Sequence, residues 1–332
     1  RWLGLVLDLL TAAVATTVVA LAMELRNSAS SASIGISLLQ ILSFNFYLTG
    51  LINAWTNLET SLGAVTRIKN FEATTKSEHK PEESGKPDLQ WPNSGQVDIS
   101  DLSARYSPNG EDVIRDLTLS IPAGSKVGIC GRSGSGKSSL LLTILRLLDT
   151  PTGSIMVDGV DLATLPRQTV RSKIAALPQE SILIPGTIRA NLDPLGSATD
   201  LELEAALAKA GILDSVSLAG GLNSSMAALA LSHGQMQLFA VARTLLRPSK
   251  LLVLDEMTSS VDAATEQRVM DIIHEGFKGF TIIAVAHRLQ TIVGYDMIVV
   301  MDAGRIVEVG KPSDLLEQSG GRFREMWERS GH

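Results

Sequence analysis

The residues of this chain best suited to chemistry lie in Gly131-Arg132-Ser133-Gly134-Ser135-Gly136-Lys137-Ser138-Ser139, which fits the phosphate-loop pattern G-x-x-x-x-G-K-[ST]. Glycine at 131, 134 and 136 lets backbone N–H groups curl round an anion with no Cβ in the way, and the following helix adds its positive end. Lys137 is placed to reach the β- and γ-phosphates and the Ser138 hydroxyl to ligate magnesium, with Ser133, Ser135 and Ser139 in the same cradle. A second element, Leu251-Leu-Val-Leu-Asp255-Glu256, ends an apolar run in two carboxylates. Ligands of open α/β sheets gather at the carboxyl ends of the strands, so these acids are expected beside the phosphate loop. Asp255 is suited to hold magnesium, and Glu256 to orient or deprotonate an attacking water.

These residues need strands and helices to hold them. Ser125–Cys130 reads as a short buried strand running into the loop, and Ser139–Leu148 as the helix leaving it. Val97–Tyr106 and Val113–Leu119 read as an antiparallel pair joined across the turn signal Ser107-Pro-Asn-Gly110. Then follow a strand near Ser154–Val157, a short helix after Pro166 and a strand at Ile174–Leu177. Helical periodicity marks Asp200–Ala210, His233–Leu246 and Ala263–Phe277, with strands at Leu251–Leu254 and Thr281–Ala284. Met297–Met301 and Arg305–Val309 form a hairpin across Asp302-Ala303-Gly304, and the chain ends in helical pieces. Strands alternating with helices around a phosphate loop predict an α/β domain with a parallel sheet core. Cys130, in an apolar strand, reads as a small buried hydrophobe rather than a reactive thiol.

Composition adds a membrane element. The 332 residues have room for about two domains. A net charge of −6 argues against a general nucleic-acid binder, and one cysteine excludes an intramolecular disulfide framework. Mean hydropathy is +0.19, with the excess at the N-terminus. Trp2–Leu25 carries only Asp8 and Glu24 as charges and would span about 36 Å as a helix, against a hydrocarbon core of about 30 Å. The uncharged stretch Leu9–Met23 is shorter, which leaves a buried core helix as the other reading. Asn27–Ser33 is a polar connector, Asn27–Leu58 holds no charge, and Ile34–Trp55 is a second span, with Asn45 and Asn53 suited to bridge packed helices. Arg67 and Lys69 place the end of the second span in the cytoplasm. Thr74–Asn93 reads as a charged, proline-bearing linker with too little apolar content to pack. The boundaries expected are 1–72 for the two spans, 73–95 for the linker and 96–332 for the soluble domain. A start at Arg1, within an apolar pattern and with no cleavable signal peptide, suggests a piece of a longer protein.

Leu231-Ser232-His233-Gly234-Gln235, just ahead of a predicted helix, resembles the signature sequence of ABC ATPases. Other elements follow that family's order. Tyr106 is similar to the aromatic that stacks on adenine, Gln179 to the glutamine contacting magnesium and the attacking water, and Ser259-Ser-Val-Asp262 to the segment facing the opposite subunit. His287 is similar to the histidine on the γ-phosphate. The resemblance covers Gln96–Trp327 and implies a RecA-like parallel core, an antiparallel β subdomain and a helical subdomain, preceded by the last two helices of an exporter membrane domain. It implies ATP and Mg2+ as cofactors, with Glu256, His287 and Gln179 catalytic and Ser138, Gln179 and Asp255 around the metal. Tyr106, Gly131, Ser133, Gly134, Ser135, Gly136, Lys137, Ser138, Ser139, Ser232, Gly234, Gln235 and Asp262 would bind nucleotide. The chain looks most like the second nucleotide-binding half of a C-type, multidrug-resistance-associated full transporter, on Arg1-Trp-Leu…Leu7-Asp-Leu and Gly186-Thr-Ile-Arg-Ala-Asn-Leu-Asp-Pro194. Implied partners are a second nucleotide-binding domain, the remaining membrane helices, a lipid bilayer and a small-molecule cargo, with no nucleic acid. An ATP-gated channel or regulatory protein of the same architecture stays open, as does the identity of the membrane.

One departure stands out. His233 occupies a place where the family has glycine, which would let backbone approach a γ-phosphate closely. ATP sites in this family form between two domains, each pairing one domain's phosphate loop with the other's signature. The expected result is asymmetry: the site on this chain's loop hydrolyses ATP, while the site completed by this chain's signature mainly binds it.

Overall fold

A computed structural model of the chain describes residues 2–24, 30–75, 77–78, 80–179, 182–247, 249–255, 263–286 and 288–330. Two compact units make it up, Arg1–Glu78 and His79–His332. The first is a pair of helices, α1 (Trp2–Glu24) and α2 (Ser31–Thr74). Both are long and apolar enough to cross a membrane, and among the described residues the apolar window of each is exposed rather than packed as a core helix. Asn45 Nδ2 donates to Asp8 Oδ1 at 3.1 Å, the interhelical bridge expected of an asparagine in an apolar span. The second helix runs far beyond the expected Ile34–Trp55. Its 44 residues reach about 66 Å, roughly twice the hydrocarbon thickness. Past Leu58 hydropathy falls, but the run to Thr74 keeps Leu, Ala, Glu, Arg and Lys with no proline, so the helix continues.

In the second unit the elements are β1 (Val97–Arg105), β2 (Ile114–Ile121), β3 (Lys126–Gly131), α3 (Lys137–Ile144), β4 (Asp149–Val157), β5 (Val160–Asp161), α4 (Arg167–Lys173) and β6 (Ala175–Leu177). They continue with α5 (Ile188–Leu192), α6 (Asp200–Lys209), α7 (Leu213–Leu218), α8 (His233–Leu245), β7 (Leu251–Asp255), α9 (Ala263–Gly276) and β8 (Thr281–Val285). The last are β9 (Met297–Asp302), β10 (Arg305–Gly310), α10 (Pro312–Glu317) and α11 (Arg322–Arg329). A six-stranded sheet has the order β10-β9-β3-β8-β7-β6, parallel except at the β10 edge. An antiparallel sheet has the order β2-β1-β4-β5.

The parallel strands are apolar at consecutive positions because both faces are covered. Val127, Ile129, Leu251, Val253, Ile283 and Val285 enter the core shared with the antiparallel sheet and α3. Their neighbours Cys130, Leu252, Leu254, Ile282 and Ala284 enter the core under α6, α8 and α9. Burial first pushes the Cys130 thiol up, to about 12, against the opposing pull of Lys137, which fits an inert packing residue.

Three boundaries differ from expectation for physical reasons. Helix α3 ends at Ile144 rather than Leu148, and β4 starts at Asp149 rather than near Ser154, because β1 pairs with the whole segment across irregular register between Ser100 and Arg105. The short helices α5 and α7 carry too few turns to show a period. The third is the segment read as an unpacked linker, part of which is a docked strap. Trp91 is 3 % exposed and its indole N–H donates to the Val157 carbonyl at 2.9 Å. Glu83 is buried, its Oε1 accepting from Arg146 Nη2 at 2.7 Å and Arg167 Nε at 3.3 Å. Local composition hid this because the partners lie more than 60 residues away.

Candidate nucleotide site

Strand β3 delivers the phosphate loop and α3 leaves it. Gly136, with φ of 99°, is the N-cap of α3 and occupies the left-handed region that a side chain disfavours. A Cβ there would come 3.0 Å from the Val113 carbonyl oxygen. Lys137 is 6 % exposed and its ammonium donates to the carbonyls of Gly131 and Arg132, both at 3.0 Å. The cation is therefore held over the loop on main-chain acceptors, where a phosphate would be the stronger partner. Ser138 Oγ donates to Asp255 Oδ1 at 2.9 Å. Ser133 and Gly134 are exposed, Ser135 is buried, and Gly131 is half-buried at the end of β3.

The parallel sheet brings the other groups to the same edge. In register, Leu177 on β6 faces Leu254 on β7, and Asp255 faces Val285 on β8. The carboxyl ends of β3, β6, β7 and β8 thus lie side by side. Exposed Gln179 follows β6 by two residues and Asp255 closes β7. Glu256 follows β7 and His287 follows β8 in sequence, but both lie outside the described residues, as do Ser259 and Asp262. A hydroxyl and a carboxylate 2.9 Å apart at this edge form the oxygen donor set that suits Mg2+, which is held by few protein ligands plus substrate phosphates. Tyr106, just past β1, is 64 % exposed, and its Oη lies 3.0 Å from Ser139 Oγ. That places an aromatic ring against the first turn of α3, beside the loop.

The signature residues stand apart from this cluster, at the N-terminus of α8. Ser232 Oγ accepts from the Gln235 N–H at 3.3 Å, and Gln235 Oε1 accepts from the Ser232 N–H at 3.0 Å. This reciprocal capping box fixes the helix start, where free N–H groups and the dipole favour an anion. His233 is exposed and Gly234 half-buried in that first turn. Sequence reasoning assigned Ser232 and Gln235 to nucleotide without noticing that S-x-x-Q is also a cap signature. The hairpin turn between β9 and β10 was expected, but not its contact with the phosphate loop: the Gly304 N–H donates to the Ser135 carbonyl at 3.0 Å. No local pattern announces a turn that props a loop about 170 residues earlier in the chain.

Residues 114–259 match the ABC transporter family model. The chain is 43 % identical over 330 residues to ABC multidrug transporter B of Aspergillus fumigatus, covering 99 % of this chain and 23 % of that protein. It is 46 % identical over 320 residues to ABC transporter gloK of Glarea lozoyensis, covering 96 % and 24 %. Among solved structures, a bacterial Atm1-family ABC exporter with ATP bound superposes with a TM-score of 0.74 at 29 % identity, over 90 % of this chain and 52 % of the other. The chain thus spans about a quarter of the length of the curated relatives it matches.

Proposed function

We propose that this chain, which carries an ATPase domain of the ABC transporter family, is the second nucleotide-binding half of a C-type exporter together with the last two helices of its membrane domain. The observation that carries the reading is the Ser138–Asp255 contact at 2.9 Å, beside the Lys137 ammonium at the carboxyl edge of the parallel sheet. Hydroxyl, carboxylate and buried cation are the parts that a triphosphate-hydrolysing site of this fold requires.

The roles are those of the motifs the residues match. Lys137 and the loop N–H groups bind the β- and γ-phosphates, Tyr106 stacks on adenine, and Ser138, Asp255 and Gln179 would hold Mg2+. Magnesium held there would supply neutralisation of the charge that develops on the phosphates. Glu256 orients the attacking water and takes its proton, while His287 contacts the γ-phosphate. Ser232, Gly234, Gln235 and Asp262 meet the nucleotide held by a second nucleotide-binding domain. ATP draws the two domains together, product release lets them part, and the membrane helices follow through the region after Gln179. The multidrug relative supports small-molecule export as the work done, with α1 and α2 in a bilayer and the nucleotide domain in the cytoplasm.

The test is Glu256→Gln in the full-length transporter. ATP binding should persist while hydrolysis falls by about 10²–10⁴-fold; unchanged hydrolysis overturns the role given to Glu256. Uptake into inside-out vesicles that needs hydrolysis separates a pump from an ATP-gated channel or regulatory protein of the same architecture.

A further inference from the structure

We propose that Gly304 is a positioning residue that sets the spacing between the Tyr106 ring and the phosphate loop, and so the fit of an adenine nucleotide bridging both. The proposal rests on Tyr106 being the adenine platform.

Gly304 is bonded on two sides. Its N–H donates to the Ser135 carbonyl of the loop at 3.0 Å, and its own carbonyl accepts the Arg115 N–H of β2 at 2.9 Å. Its φ is +79°, and a Cβ on it would come 2.5 Å from the Val113 carbonyl oxygen and 3.1 Å from the carbonyl carbon. A Cβ on Gly136, from the loop side, would come 3.0 Å from the same oxygen. The Val113 carbonyl is therefore wedged between two residues that have no side chain. The Val113 N–H donates to the Ala104 carbonyl at 2.8 Å, two residues before Tyr106. A continuous path runs from the loop through Gly304 and Val113 to the strand that presents the aromatic. Next to it, Arg305 Nη2 donates to Asp116 Oδ2 at 2.9 Å, tying the same turn to β2. At the far end, the Tyr106–Ser139 contact at 3.0 Å closes the frame.

Interiors are packed closely enough that displacing one carbonyl moves what is bonded to it. A methyl group at Gly304 must push Val113 and β1 away from the loop. A ligand touching only the loop is indifferent to that movement; a ligand touching loop and ring is not.

The experiment uses the full-length transporter in lipid nanodiscs. ATP and inorganic tripolyphosphate each compete against a photoreactive ATP analogue, scored on the part of the protein that holds this chain. Gly304→Ala should weaken ATP by about tenfold, the scale of lost base–aromatic stacking, and leave tripolyphosphate unchanged. Gly159→Ala and Gly279→Ala carry the same backbone strain, with φ of +77° and +75°, but a Cβ on either meets nothing within 4 Å. Both should leave ATP affinity unchanged. Arg305→Ala loosens the same turn without strain and should produce a smaller loss of ATP alone, so the proposal stays testable if Gly304→Ala does not fold. Parallel loss of ATP and tripolyphosphate, or loss of neither, overturns the proposal. Tyr106→Ala tests the underlying reading separately: if it leaves ATP's advantage over tripolyphosphate intact, Tyr106 is not the platform.

Discussion

Ser138 donates its proton to Asp255 across 2.9 Å, so each holds the other in place before any metal arrives. Removing the hydroxyl takes away one oxygen and frees the carboxylate to swing. Ser138→Ala should raise the Mg2+ concentration for half-maximal ATPase by about 10-fold or more, whereas Ser138→Thr should nearly preserve it. The measurement is a magnesium titration at saturating ATP, and equal curves for Ala and Thr would remove the hydroxyl from the metal site. Ser138 and Asp255 were legible as candidates from motif spacing, since both patterns are local. The 2.9 Å contact was not, because it depends on α3 packing beside β7.

At the scale of an element, the segment over residues 80–96 is a strap docked on the nucleotide domain. The Glu83 carboxylate lies among Arg146 and Arg167, with side-chain exposures of 2 %, 10 % and 12 %. Removing one partner of such a buried group leaves uncompensated charge, so Glu83→Ala should destabilise the nucleotide domain by about 3–5 kcal/mol in a denaturant titration. A cost under about 1 kcal/mol would mean the pair behaves as a surface bridge. The other end of the strap is held by Asp158, which accepts the N–H groups of Asn93, Ser94, Gly95 and Gln96 at 2.7, 2.9, 3.1 and 2.8 Å. Burial raises the Asp158 carboxyl, but bonds from Ser94, Gly95 and Gln96 outweigh it and hold the group below its ordinary 3.8. A depressed folded-state value stabilises above the unfolded value and stops doing so as pH falls through the folded one. Asp158→Asn should therefore lower Tm at neutral pH, and the gap from the unsubstituted protein should narrow only once pH drops below 3.8. A gap independent of pH would assign the loss to shape alone.

At the scale of the whole molecule, the proposed function has one domain supply only part of each ATP site. Lys137, Ser138, Asp255 and Tyr106 cluster, while Ser232, Gly234 and Gln235 stand at the start of α8, on another element. On the proposed function, exposed His233 stands where a glycine is expected and would crowd the γ-phosphate of a nucleotide held by a second domain. Vanadate trapping in the full-length protein should label the site built on this chain's loop at least several-fold more than the site completed by its signature. Equal labelling of both would contradict the asymmetry.

Periodicity and motif spacing were sufficient for the class of domain, the order of its longer strands and helices, the two apolar spans and the phosphate loop, because each is a property of a few neighbouring residues. Packing was needed for the rest. That Thr74–Asn93 ends in a docked strap follows from Arg146, Arg167 and Val157, which lie far along the chain. That Gly304 props the phosphate loop follows from β9 lying beside β3 in the sheet. A local pattern encodes what a segment can form. Which distant carbonyl or cation it meets is set only when the sheet order brings them together.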